Sequence, residues 1–122
     1  MAVVTLNPGL VVRLQELQPG SSFVLPNQSL RVVGSLQSFD STSGIAVLVD
    51  AGASLRLDLE HLRELPLRVG SLFEFIGELE VDTTQQLTLK ARVGRNVDGM
   101  DMKLFDKVLQ LRRRFEKDYK HN

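Results

Sequence analysis

Two runs near the end of the chain alternate apolar and polar residues, Leu72–Val81 (LFEFIGELEV) and Leu87–Val97 (LTLKARVGRNV). A period of two marks strands with one buried face, and the polar Asp82–Gln86 between them predicts a hairpin turn. Upstream, Leu30–Asp40 (LRVVGSLQSFD) places Leu30, Val32, Gly34 and Leu36 on one face. Ser41–Gly44 reads as a turn, and Ile45–Asp50 follows as a strand with Ile45, Val47 and Val49 inward and Ala46 and Leu48 outward. After Ala51-Gly52-Ala53, the strand Ser54–Asp58 turns Leu55 and Leu57 in and Arg56 and Asp58 out. Leu59–Leu65 predicts a helical turn ended by Pro66. Val11–Leu17 suits a short helical turn or an extended arm, closed by Pro19-Gly20, and Phe23–Pro26 an extended lead-in.

Five strands with a helical connection between the third and fourth give the order of the all-β, five-stranded Greek-key OB-fold barrel. Gly34 and Gly77 fall on the apolar register in mid-strand, where glycine otherwise weakens a strand. In a closing barrel such positions allow the coiling that lets one strand serve two sheets. The expected core is Val32, Leu36, Val47, Leu57, Phe73, Phe75, Leu79, Leu89, Ala91 and Val93. Residues 1–29 are expected as an arm of the same domain, 30–100 as the barrel, and 101–122 as a C-terminal partner-binding α-helix and tail.

The helix pattern begins after Asp98-Gly99, with Asp101 placed to cap it. At about 100° per residue, Met102, Leu104, Phe105, Val108, Leu109, Leu111, Phe115 and Tyr119 cover roughly half the circumference. A helix closing a barrel needs a narrower stripe, so the width implies two apolar contacts; packing of the surplus beneath the N-terminal arm is the alternative. Met102, Phe105, Leu109 and Arg112 are assigned to a partner, and Leu104, Val108, Leu111 and Phe115 to the barrel. Periodicity fixes the two stripes but not the rotation that decides between them.

Charge sharpens this reading. The 122 residues carry 15 basic and 15 acidic side chains, whereas a domain that grips nucleic acid alone shows a basic excess. Basic residues gather late, at Lys103, Lys107, Arg112, Arg113, Arg114, Lys117 and Lys120, as a solvated face or a contribution to a shared site. The strands at 45–50 and 54–58, where OB modules stack bases, contain no aromatic residue. No apolar run is long enough to span a membrane. Met1–Leu10 lacks a basic start and is broken by Pro8-Gly9, so no secretory leader is expected. The absence of cysteine fits a reducing compartment.

Catalytic readings find little. His61 and His121 stand far apart, and His61 lies in a charged, surface-like segment. Asp40, Asp50 and Asp58 fall at strand ends, where carboxylates form turns more often than they gather around a cation. No phosphate-cradling loop or nucleophile elbow is present. Neither an enzyme nor a metal or cofactor site is expected.

Val69-Gly70-Ser71-Leu72, Ile76-Gly77-Glu78-Leu79, Leu89-Lys90-Ala91-Arg92-Val93 and Asp98-Gly99-Met100 before the helix, with Leu30–Leu36, resemble the Ten subunit family of the CST complex. The resemblance runs from about Leu30 to Phe115. It implies a non-catalytic accessory OB subunit of a telomeric, single-stranded-DNA-binding trimer resembling replication protein A. Such a subunit pairs with the larger OB-fold Stn subunit through C-terminal helices and contacts the large CTC subunit. The trimer caps telomeres in the nucleus, restrains telomerase and supports fill-in synthesis by DNA polymerase alpha–primase. The resemblance also implies DNA contact at Arg31 and Phe115, the latter with phenylalanine where the family has tyrosine. Arg113 and Lys117 join them as candidate phosphate contacts. The smallest subunit of replication protein A and a stand-alone single-strand-binding OB module remain the alternatives.

Overall fold

A computed structural model describes residues 10–18, 20 and 28–120, the last five of these as backbone only. The expected lead-in at 23–26, the Pro8-Gly9 break, His121 and the side chains of Lys117 and Tyr119 lie outside the described residues.

The strands are β1 (Leu10–Val11), β2 (Ser29–Asp40), β3 (Ile45–Asp50), β4 (Ala53–Asp58), β5 (Leu72–Val81) and β6 (Leu87–Asn96). Single turns of 3-10 helix occupy Leu14–Glu16 and Glu60–Leu62, and α1 (Met102–Lys120) ends the described chain. Strands β2-β3-β4-β6-β5 close on themselves through β2–β5 pairing, with β4 parallel to β6, and β1 adds to β2 in parallel. This is a closed, mixed OB barrel followed by a C-terminal helix.

The long β2 serves both sides of the barrel, pairing with β5 over Ser29–Ser35 and with β3 over Ser35–Asp40. It turns the corner at Gly34, where a Cβ would stand 2.8 Å from Leu48 Cγ and from the Val49 carbonyl oxygen. At Gly77 the approach is closer still: a Cβ would meet the Lys90 carbonyl oxygen at 2.1 Å. Only glycine lets β5 and β6 coil this tightly.

The core holds Val32, Leu36, Leu57, Phe73, Phe75, Leu79, Leu89 and Ala91, with the Phe73 and Phe75 rings stacked at 5.8 Å. Val12, Leu14 and Leu17 of the arm are buried in the same cluster, and the turn at Leu14–Glu16 packs on β2, β3 and β4. The segment around Glu60–Leu62 packs on β6.

Two expected core positions are corrected. Val47 lies outside the core, and it is Ala46 and Leu48 that are fully buried, reversing the face expected for β3. Five consecutive apolar residues carry no readable period, so pairing decides: Leu48 stands opposite Leu36 and Leu55, and Ala46 opposite Leu57. Val93 is 49% exposed. A bulge pairs Ile76 with Val93 but Gly77 with Ala91, so Arg92 is an extra residue. That extra residue switches the alternation and brings Gly94, not Val93, against the Phe75 ring.

Candidate interaction surfaces

Helix α1 starts where its sequence demands. The Asp101 Oδ1 accepts the N–H groups of Lys103 (3.0 Å) and Leu104 (3.1 Å), satisfying two donors of the first turn. The turn before it is anchored by Asp98, whose Oδ1 accepts the Leu72 N–H at 2.7 Å. That bond holds the Asp98 carboxyl below its usual value.

One face of α1 is clasped by the N-terminal arm. Arg13 donates from Nε (3.0 Å) and Nη2 (2.5 Å) to Asp50 Oδ2 at the end of β3. Its Nη1 donates to Asp106 Oδ1 at 2.5 Å, and its guanidinium lies over the Phe105 ring, 5.9 Å from the centroid. Asp50 from β3 and Asp106 and Phe105 from α1 thus converge on one cation whose side chain is 10% exposed. Burial disfavours the charge on Arg13, but Asp50 and Asp106 outweigh it and raise its pKa. Glu16 completes the clasp: its Oε1 accepts the Arg13 N–H at 2.8 Å, and its Oε2 pairs with Arg113. Arg113 also donates to the Val11 carbonyl at 2.9 Å. Burial opposes ionisation of Glu16, yet the Arg113 bond, the Arg13 amide and both guanidinium charges hold its carboxyl below the usual value.

This clasp fixes the rotation of the helix and reverses the division expected from sequence. Leu109, assigned above to a partner, is buried, and Phe105 and Met102 are half-buried on the same side. Leu104, Val108, Leu111 and Phe115, assigned above to the barrel, are 57%, 53%, 62% and 72% exposed. Both stripes repeat at heptad-like intervals, so spacing alone could not separate them. The deciding groups are Asp106 and Arg113, which complement Arg13 and Glu16 from about a hundred residues away in sequence. Arg112, the fourth residue given to the partner, is exposed.

Of the four candidate DNA contacts, three have described side chains, Arg31 on β2 and Arg113 and Phe115 on α1. Arg113 pairs with Glu16 and donates to the Val11 carbonyl, and its side chain stays 30% exposed. Arg31 lies on β2, paired with Val11 of β1, and sits 3.8 Å from the buried Glu74 carboxylate. Phe115 belongs to the exposed apolar face of α1. A groove of about 290 Å³ does open on the β3–β4 side, lined by Leu17, Val47, Leu55, Arg56, Gln85 and Leu87 among others. Among the described residues that line it there is no aromatic platform and one cation, Arg56, which donates to Thr88 Oγ1 at 2.8 Å and lies 3.9 Å from Asp82. The strand-end carboxylates are also occupied: Asp40 and Asp58 accept the N–H of Thr42 and Glu60, and Asp50 holds Arg13.

Comparison with known proteins follows the same lines. The family described as a telomere-capping CST complex subunit, of the Ten1 type, matches residues 5–119. The CST complex subunit TEN1 of Arabidopsis thaliana is 41% identical over 119 residues, spanning 97% of this chain and 94% of that one. The chain belongs to the Ten1 family. That membership decides between the OB families left open by sequence. Among solved structures, Ten1 from Saccharomyces pombe superposes with a TM-score of 0.72 at 17% identity, covering 87% of this chain and 98% of that one. A chain of the S. pombe Stn1–Ten1 complex gives 0.74 at 15% identity, covering 92% and 98%. The Escherichia coli protein ygiW shares the barrel at 0.57 and 19% identity, with 73% and 91% covered. At these identities the structural likeness concerns the fold, and the Ten1 assignment rests on the sequence matches.

Proposed function

We propose that this Ten1-family protein is the non-catalytic small OB subunit of a CST complex, joined to a larger Stn-type OB subunit through the exposed face of α1. The observation that carries this is the row Leu104, Val108, Leu111 and Phe115, each more than half exposed. Their spacings of four, three and four residues place them within about 60° of one another on a helix. Such a row suits a helix that packs against another helix. A family relative has been crystallised with Stn1, which supports the choice of partner. Leu111→Glu should abolish co-purification with the Stn-type subunit while leaving the circular dichroism of the isolated protein unchanged. Normal co-purification would move the interface off α1.

In this reading the subunit works at nuclear telomeres, in a trimer with the CTC subunit. It contributes to capping, to restraint of telomerase and to fill-in synthesis by holding the Stn subunit. Single-stranded DNA is met by the assembled complex, with Arg31 and Lys117 as phosphate contacts. Phe115 acts in the seam. The lack of an aromatic among the described residues lining the β3–β4 groove supports a minor share of DNA binding for the isolated chain.

A further inference from the structure

The apolar row of α1 is bordered by charges of one sign. With Leu104 and Leu111 at d positions and Val108 and Phe115 at a positions, the flanking positions are Lys107 and Arg114 on one side. On the other side stand Phe105, turned under Arg13, and Arg112. Lys107, Arg112 and Arg114 are all exposed, and every charged flank residue with a described side chain is therefore basic. The nearby carboxylate, Asp106, is drawn to the opposite side by Arg13. A surface hollow of about 260 Å³ lies between the two cations, lined by Lys107, Gln110, Leu111 and Arg114.

We infer that the seam is read by a partner helix whose own apolar seam is flanked by acidic residues, and that it rejects a second copy of this chain. The inference rests on the partner reading above and specifies the chemistry of that partner. The seam from Leu104 to Phe115 is about 17 Å long at 1.5 Å per residue, a short helical contact in which flank charges weigh heavily. An acidic side chain entering the hollow meets Lys107 and Arg114 among its lining residues, beside Gln110 and Leu111. Two copies of this chain would instead set Lys107, Arg112 and Arg114 against one another in parallel or antiparallel pairing, and like charges at such flanks disfavour the wrong partner. Phosphates would also be attracted to these cations. The acidic helix is favoured because the cations border an exposed apolar row, which a nucleic-acid backbone leaves uncovered.

The test uses the full chain and the purified Stn-type subunit, titrated by calorimetry at low and high salt. Val108→Glu should eliminate binding at both salts; normal binding by this variant would overturn the partner reading itself. Lys107→Glu with Arg114→Glu, both on exposed side chains, should weaken binding by roughly 30-fold at about 50 mM salt and by under about 3-fold at about 500 mM, as screening removes the repulsion. Loss with Val108→Glu but affinity within about 2-fold for the charge variant at both salts would leave the seam standing and overturn the acidic-partner inference. Normal assembly of the charge variant, with weaker capture of a single-stranded oligonucleotide by the complex, would assign the cations to nucleic acid instead. Sedimentation of the wild-type chain should show a monomer, and a dimer abolished by Val108→Glu would contradict rejection of a second copy.

Discussion

Truncating Arg13 to alanine separates the clasp from ordinary surface ion pairs. The Arg13 and Asp50 side chains are 10% and 14% exposed, so removing the guanidinium strands a nearly buried carboxylate, at a cost of about 3 kcal/mol. The second leg, to Asp106, is 39% exposed on the acidic side and contributes little, under about 1 kcal/mol. The contact with the Phe105 ring is of similar size, about 0.5–1 kcal/mol. These groups share one cation and do not add independently, so a total of about 3–4 kcal/mol is expected. In a domain of this size that corresponds to a fall in Tm of roughly 10–15 °C. The effect should be uneven: amides of α1 should exchange faster than those of β5 and β6, because the helix loses its tether before the barrel opens. Adding Asp50→Asn to Arg13→Ala should recover about half of the loss, since the stranded charge is gone. Chemical denaturation of the four members of this cycle measures the coupling. A loss under about 1 kcal/mol, with no recovery in the double variant, would refute a buried clasp.

Three further outcomes follow from the same geometry. Gly77→Ala should destabilise the barrel by several kcal/mol, about 3 or more, because its Cβ must displace β6 backbone rather than a side chain; an unchanged Tm would mean that β5 and β6 are less tightly coiled there. Phe75→Ala should cost about 3–5 kcal/mol, whereas Val93→Ala should cost under about 1 kcal/mol, and equal losses by urea unfolding would restore the unbulged register. Glu16 titrates below its ordinary 4.5 when folded, so its contribution is complete above about pH 5 and is lost as pH falls through the folded value. Glu16→Gln should therefore lower stability at pH 7 and converge with wild type as pH falls below the folded value, and a difference constant through that acid range would remove Glu16 from the clasp.

How far the sequence could be read depended on how each element is specified. Leu72–Val81 and Ile45–Asp50 coincide with observed strands, and Asp101 caps α1, because turn residues and local caps act within a few positions. Within β3 the faces were illegible, since Ile45 to Val49 is apolar throughout and only pairing with β2 and β4 chooses between them. Val93 failed because one extra residue, Arg92, shifts the alternation without changing its composition. The arm's Val12, Leu14 and Leu17 enter the core from a segment with no clean period. The helix showed its two stripes but not their assignment. Arg13 and Glu16 are linked locally within one turn, but Asp50, Asp106 and Arg113 join them only after folding, from 37 to 97 residues away.

Binding of the Stn-type subunit by α1 is the claim on which the functional account turns. Calorimetric titration of that subunit with wild type, Phe115→Ala and Val93→Ala measures it directly. The account predicts that Phe115→Ala, at the most exposed apolar position of the seam, weakens binding by at least about 30-fold, or 2 kcal/mol. Val93→Ala, on the barrel wall, should bind as wild type does. Wild-type affinity for Phe115→Ala, or a loss confined to Val93→Ala, would contradict the account and place the partner on the barrel strands.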